Sequence, residues 1–178
     1  MAFYKKFIPV SYYPNIFDID YQTLTKQGVK SLFFDLDNTI IAYDEQKMSE
    51  KTFAFLKELQ KDFKIIIVSN SQKSRVKLAA DQYPYVHFAK KPLLFGLKKA
   101  VRMAGFEKDE VVLIGDQVMT DVFGANRLKI KSILIKPIKK SSDKWITSLN
   151  RFFAKCILKG VKKRYPKAYK ELIEPYEN

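Results

Sequence analysis

Cysteine and histidine are almost missing from this chain of 178 residues: there is one of each, Cys156 and His87. One cysteine excludes a disulfide framework within the chain, and one Cys with one His all but excludes a zinc site of the usual Cys/His type. Nothing around either residue would activate a thiolate–imidazole pair for nucleophilic catalysis. Cys156 falls on an apolar helical stripe and reads as core or interface. His87 alternates with apolar neighbours in YVHF and reads as a strand residue. Long apolar runs are lacking too. No stretch approaches the roughly 18 apolar residues that span a bilayer. The opening MAFYKKFIPVSYYPNI has two lysines with no apolar run behind them, so no signal peptide is read. The expected location is the cytosol, with peripheral attachment to the inner face of a membrane left open. Acidic residues are also in deficit, 19 against 33 Lys and Arg, for a net charge of +14. That surplus points to an anionic partner: a nucleic acid, a membrane surface or a phosphorylated substrate.

What is present is a globular composition, 47% hydrophobic, with no internal repeat and no low-complexity segment. The length suits one domain spanning 1–178, with an α/β core over 31–136 and a basic helical segment over 137–170. Residues 1–30 are mixed, with several aromatics and Pro9 and Pro14. From there strand and helix alternate. Strands are expected at 31–36, 64–68, 85–89, 110–114 and 132–136. Helices are expected from a Ser49 cap to about Lys61, over SQKSRVKLAADQY, over 92–105 between Pro92 and Gly105, and over VMTDVFGANRLK. The strands are short continuous apolar runs. With the alternation, this argues for a parallel sheet covered by helices on both faces, a three-layer arrangement with right-handed crossovers.

Ligands of such sheets bind at the carboxyl ends of the strands, and polar groups collect there. Strand 31–36 runs into Asp35-Leu36-Asp37-Asn38-Thr39. Strand 64–68 is followed by Ser69-Asn70, and strand 85–89 by Lys90-Lys91-Pro92. Strand 110–114 is followed by Gly115-Asp116, with Asp121 five residues on. Clustered carboxylates repel unless a cation joins them. With only oxygen ligands on offer the cation should be hard, and Mg²⁺ fits best. A hydroxyl and an ammonium can hold phosphoryl oxygens. Of two acids one residue apart, one can attack phosphorus while the other handles the leaving-group proton.

This order of motifs resembles the haloacid dehalogenase superfamily, whose Rossmann-like fold would follow. DLDNT looks like its first motif, Ser69 in IVSN its second, Lys91 in KKP its third and GDQVMTD its fourth. The resemblance implies that Asp35 is the nucleophile, forming an aspartyl-phosphate, and that Asp37 is the acid and base. Ser69, Asn70 and Lys91 would bind phosphate, with Lys90 the rival for the place of Lys91. Mg²⁺ would be held by Asp35, Asp116 and the backbone carbonyl of Asp37. Thr39 and Asp121 would support the site, Asp121 as an outer metal ligand or as an orienter of Lys91. FIPVSYYPNIFDI, GVKSLFFDLDNTI, GDQVMTDVFGANR and the basic C-terminal helix further resemble the YqeG-type phosphatases of subfamily IIIA. That group is similar to phosphatases of phosphatidylglycerophosphate, a lipid whose head group ends in a phosphate.

Spacing bears on the substrate. Thr39 and Ser69 are 30 residues apart, and Ser69 and Lys91 are 22 apart. A flap, helices and strands use up both intervals, so no cap domain is expected and the site should be open. Open sites suit macromolecules or head groups at a membrane surface. A small soluble phosphomonoester, such as a nucleotide or sugar phosphate, is the alternative if a second subunit of a homo-oligomer closes the site. Between Lys136 and Lys170 there are twelve Lys or Arg and one acid, Asp143. Trp145, Ile146, Leu149, Phe152, Phe153, Cys156, Ile157 and Val161 share one helical face there. That face suits an anionic membrane interface, or equally packing on the sheet or a partner subunit. The aromatics Phe3, Tyr4, Phe7, Tyr12 and Tyr13 are open between that surface and the core. A non-enzymatic nucleic-acid-binding module is the remaining alternative, but no recognised motif for it is present.

Overall fold

The structure, a computed structural model, describes residues 3–139 and 148–177, with backbone alone for 148–153. Six strands form one sheet: β1 (Ser11–Tyr13), β2 (Ser31–Phe34), β3 (Lys64–Val68), β4 (Tyr85–Val86), β5 (Val111–Gly115) and β6 (Lys131–Ile135). Their order is β1-β6-β5-β2-β3-β4, and every pairing is parallel. The helices are α1 (Tyr21–Lys26), α2 (Glu50–Leu59), α3 (Lys73–Ala80), α4 (Leu94–Ala104), α5 (Phe123–Leu128), α6 (Ser148–Arg164), α7 (Pro166–Leu172) and α8 (Glu174–Glu177). This is the α/β, three-layer arrangement that the alternation of elements implies.

Successive strand residues point to opposite faces, so a continuous apolar run buries both. Leu32, Phe34, Ile65, Ile67, Val112 and Ile114 enter one cluster, with Leu56 of α2 and Val76 of α3. Phe33, Ile66, Val68, Val111 and Leu113 enter the other, with Leu97 and Ala100 of α4 and Ala125 of α5. Burying each such large side chain is worth about 1.5–3 kcal/mol. The central strands therefore hold the site's floor in place.

Local details follow the residues. Ser49 caps α2, accepting from Thr52 N, and Gly105 ends α4 with φ 76. Pairing of β2 stops at Phe34 rather than at residue 36. Leu36 O then accepts from the backbone N–H groups of Thr39, Ile40 and Ile41, and Asn38 turns at φ 62. Asn is among the few residues that tolerate that left-handed conformation. Helix α4 begins at Leu94, two residues later than the Pro92 start expected. Strand β4 ends at Val86, so His87 lies beyond it rather than in it. The helix expected over 118–129 opens with a π-helical turn, Val118–Val122, before α5.

Two features escape the sequence pattern. Strand β1 is only three residues long and exists through its pairing with β6, Ser11 opposite Ile133. The C-terminal helices form a third apolar cluster with the N-terminal segment. Phe7, Val118, Val122, Leu134, Val161 and Ile173 are buried there, with Tyr4, Tyr12, Ile157, Leu158 and Tyr165 against them. Phe7 stacks on Phe123 at 4.3 Å between ring centroids. A Cβ at Gly160 would collide with the Tyr4 ring, so only glycine allows this approach. The second half of α6 thus packs on the body of the protein. Cys156, expected on its apolar face, is exposed. Trp145 and Ile146 lie outside the described residues, as do the side chains of Leu149, Phe152 and Phe153.

Between Thr39 and Ser69 the chain forms a loop, α2 and β3. Between Ser69 and Lys91 it forms α3 and β4. Neither interval holds a further folded unit, as the spacing predicts.

Candidate active site

The carboxyl ends of β2, β3 and β5 meet at the centre of the sheet. Asp35 leaves β2 with its N–H still donating to Ile114 O at 2.9 Å. Its side chain is buried beside that of Lys91, whose Nζ lies 2.6 Å from Asp35 Oδ1. The same ammonium lies 2.6 Å from Asp121 Oδ1. This second contact is an ion pair by distance without the alignment of a hydrogen bond. Asp116, at the end of β5, is buried and accepts from Thr39 Oγ1 at 3.4 Å.

The loops that present these groups are built for it. The π-helical turn after β5 brings the Asp121 carboxylate back to accept from Gln117 N at 3.0 Å. A Cβ at Gly115 would strike that carboxylate, so the glycine of GDQVMTD makes room for it. Asn70 clamps the main chain of Lys91, donating to its O at 3.0 Å and accepting from its N at 2.7 Å. Both polar ends of the Asn70 amide therefore make a contact with the main chain of Lys91. Lys90 is exposed at φ 54, so of the two adjacent lysines it is Lys91 that enters the site. Ser69 is buried at the end of β3, and its Oγ accepts from Ser71 N at 3.0 Å.

Asp37 stands apart from this cluster. Its carboxylate accepts from Ser71 Oγ at 2.6 Å, and from Arg75 Nε at 3.1 Å and Nη2 at 2.8 Å. Arg75 also donates to Ala42 O at 3.3 Å and to Glu45 O, tying down the loop that follows Thr39. Ser71 and Arg75 escape sequence reasoning. Arg75 lies 38 residues from Asp37, and one arginine in the first turn of a helix reads as solvated surface.

Burial sets the protonation of the cluster. It pushes the Asp35 carboxyl up to about 7, with Lys91 opposing the rise and the Asp121 and Asp37 carboxylates adding to it. Burial, then the charges of Asp35 and Asp121, raise Asp116 well above the carboxylate range. For Lys91 burial works downward, but Asp121 and Asp35 outweigh it and hold the ammonium raised. Asp35, Asp116 and Asp121 each offer an oxygen within 4.8 Å of the others. When all three acids are ionised, one ammonium leaves negative charge uncompensated, which a bound cation would offset. The donor set is all oxygen, so the residues fit a hard divalent cation.

A buried carboxylate at a strand mouth, held by a lysine and set beside two further acids, can offer an oxygen nucleophile next to a cation. The chain belongs to the haloacid dehalogenase-like hydrolases, which its residues 2–129 match. It is 36% identical over 163 residues to "Probable phosphatase YqeG" of Bacillus subtilis (strain 168), covering 90% of this chain and 94% of that one. Likeness of that extent places it with the YqeG-type phosphatases. The solved structure of an uncharacterized protein from Listeria monocytogenes serotype 4b shares the fold, at 17% identity. Its TM-score is 0.51, over 67% of this chain and 85% of that one.

Proposed function

We propose that the protein is a Mg²⁺-dependent phosphomonoester hydrolase working through an aspartyl-phosphate, with phosphatidylglycerophosphate at a membrane surface as its substrate. The observation that carries this reading is the Lys91 ammonium, 2.6 Å from both Asp35 and Asp121 and beside buried Asp116. An oxygen of Asp35 attacks phosphorus, and the bond from phosphorus to the substrate's alcohol oxygen breaks. Asp37 gives that oxygen its proton. Water then attacks the aspartyl-phosphate, Asp37 takes the water's proton, and Asp35 is released with inorganic phosphate. Ser69 Oγ and Lys91 Nζ hold the transferring group's oxygens, with Asn70 keeping Lys91 in place. Asp35, Asp116 and the Asp37 backbone carbonyl would hold Mg²⁺, with Asp121 in support. The ion would offset the charge of the phosphoryl group and polarise it. Arg75 and Ser71 keep Asp37 half-buried at the rim, where a leaving group departs.

The lipid substrate draws support from the basic surface and from the absence of a cap between the motifs. Among the described residues no helix is long and apolar enough to cross a membrane, so lipid would be met at the surface. One observation favours the second reading, a soluble phosphomonoester: Val161, Ile157 and Leu158 of α6 pack on the protein's own body rather than facing outward. Phosphate release, with and without Mg²⁺, separates the two. The substrates are phosphatidylglycerophosphate in vesicles and a panel of soluble esters, with Asp35→Asn as the control. Release from lipid alone, lost in the variant, is the expected result. Release from soluble esters alone keeps the chemistry and removes the lipid.

A further inference from the structure

The loop that carries Lys91 and the first turn of α4 after it carry three exposed hydrophobic side chains. Phe95 is 77% exposed, Phe88 53% and Leu93 46%. A solvent-facing phenylalanine alone needs no explanation, but three within eight residues on one rim do. They are accompanied by cations. Lys90, Lys98, Lys99 and Arg102 are exposed, and none of them makes an ion pair among the described residues. From Tyr83 to Phe106 there is no acidic residue at all. On α4, Phe95, Lys98, Lys99 and Arg102 follow the spacing of one helical face. With Val86, His87 and Phe88 opposite, they line a shallow groove of about 300 Å³.

This patch is joined to the site by the backbone. Phe88 N donates to Ser71 O at 3.0 Å and Ala89 N to Ser69 O at 2.9 Å. The chain that positions Phe88 is therefore the chain that aligns Ser69, Ser71 and Lys91.

We propose that the Phe88–Leu93–Phe95 rim, with Lys90, Lys98, Lys99 and Arg102, is the surface by which the protein docks on an anionic lipid membrane. Aromatic and aliphatic side chains enter the boundary between head groups and acyl chains, while lysines beside them meet anionic head groups. The acid-free stretch supplies the charge complementarity. The backbone ties bring a docked head group to the mouth of the site. A nucleic acid would use the rings and cations but gain little from Leu93, which has no face on which a base stacks. The second half of α6 has its apolar face covered, whereas the hydrophobic side chains of this rim face solvent beside cations that make no ion pair among the described residues. The proposal rests on the lipid-phosphatase reading for its purpose, but its test does not depend on turnover.

The test is co-sedimentation of the full chain with vesicles of phosphatidylcholine, alone or mixed with phosphatidylglycerol, at low and high salt. The variants are Phe88→Ser with Phe95→Ser, Lys98→Gln with Lys99→Gln, and Lys155→Gln with Lys159→Gln on α6. The unmodified protein should bind the mixed vesicles, more weakly in high salt, and ignore the neutral ones. The phenylalanine pair should lose binding about tenfold or more, and each lysine of the α4 pair roughly fivefold. The α6 pair should lose less. Hydrolysis of p-nitrophenyl phosphate without vesicles should be unchanged in all three, because the altered side chains are exposed. Undiminished binding in the phenylalanine variant, loss confined to the α6 variant, or no binding by the unmodified protein overturns the proposal. So does preferential capture of single-stranded RNA, or a dimer that the phenylalanine variant dissolves. Vesicle binding with no hydrolysis of any ester leaves the docking surface standing and sinks the phosphatase reading instead.

Discussion

Asp35 and Asp37 are two residues apart, yet the structure gives them opposite surroundings. Asp35 is buried against Lys91, while Asp37 is half-buried and held by Ser71 and Arg75. In the proposed mechanism this difference is the division of labour between nucleophile and proton carrier. Arg75 touches neither phosphorus nor Asp35, so it is a positioning residue acting through Asp37. Replacing it with Gln removes the two-point grip and loosens the loop at Ala42 and Glu45. For a soluble ester, kcat should fall about tenfold while KM changes little, because binding of the phosphoryl group is left to Ser69 and Lys91. Arg75→Lys, which keeps one contact, should restore part of kcat. A fall in the melting temperature with kcat intact would show that Arg75 only braces the fold.

At the scale of elements, the C-terminal helices behave as a fourth wall and not as a free arm. Ile173, in the link between α7 and α8, is fully buried in the cluster that holds Phe7, Leu134 and Val161. The same cluster contains Val118 and Val122 of the π-helical turn that presents Asp121. The packing of the C-terminal helices therefore supports one wall of the site. Ile173→Ala should cost about 2–5 kcal/mol of unfolding free energy in a urea titration, the usual range for a buried Ile truncated to Ala. An unchanged midpoint would mean that α7 and α8 contribute nothing to the folded body. The rim on α4 is a different kind of element. Its side chains are exposed, so substitutions there should alter association and leave unfolding almost untouched.

At the scale of the whole molecule, the buried acids link stability to pH and to cation binding. In the metal-free protein burial raises Asp35 to about 7 and raises Asp116 as well. An unfolded chain releases those protons near the ordinary carboxylate value of about 4. Between about pH 4 and pH 7 the folded state therefore holds more protons than the unfolded one, and stability falls as pH rises through that window. A divalent cation binds the ionised carboxylates and reverses the loss. The metal-free melting temperature should decline across the window, and Mg²⁺ should raise it more at about pH 8 than at about pH 5. Asp116→Asn should shrink the Mg²⁺ effect. Equal shifts at both pH values would move the cation away from these carboxylates.

The sequence by itself determined the sheet and the chemistry at its edge. Apolar runs such as LFF, KIIIV and VVLIG can be satisfied only by burial on both faces, and the polar residues after each run must then gather at one end. Which of those residues meet was decided by tertiary structure. The approach of Lys91 to Asp121 needs the π-helical turn and the absence of a side chain at Gly115, and neither shows in periodicity. The choice of Lys91 over Lys90 depends on a backbone turn, since the two lysines are chemically alike. Strand β1 is too short to declare itself until β6 lies beside it. The grip of Arg75 on Asp37 spans the whole crossover from β2 through α2 to β3, a distance over which local pattern carries no information. The apolar face of α6 fits lipid and protein equally well in sequence, because hydrophobicity states that a surface must be covered and not by what. For its second half, Phe7, Tyr4 and Leu134 supply the cover, since the fold brings the N-terminal segment and β6 to that place.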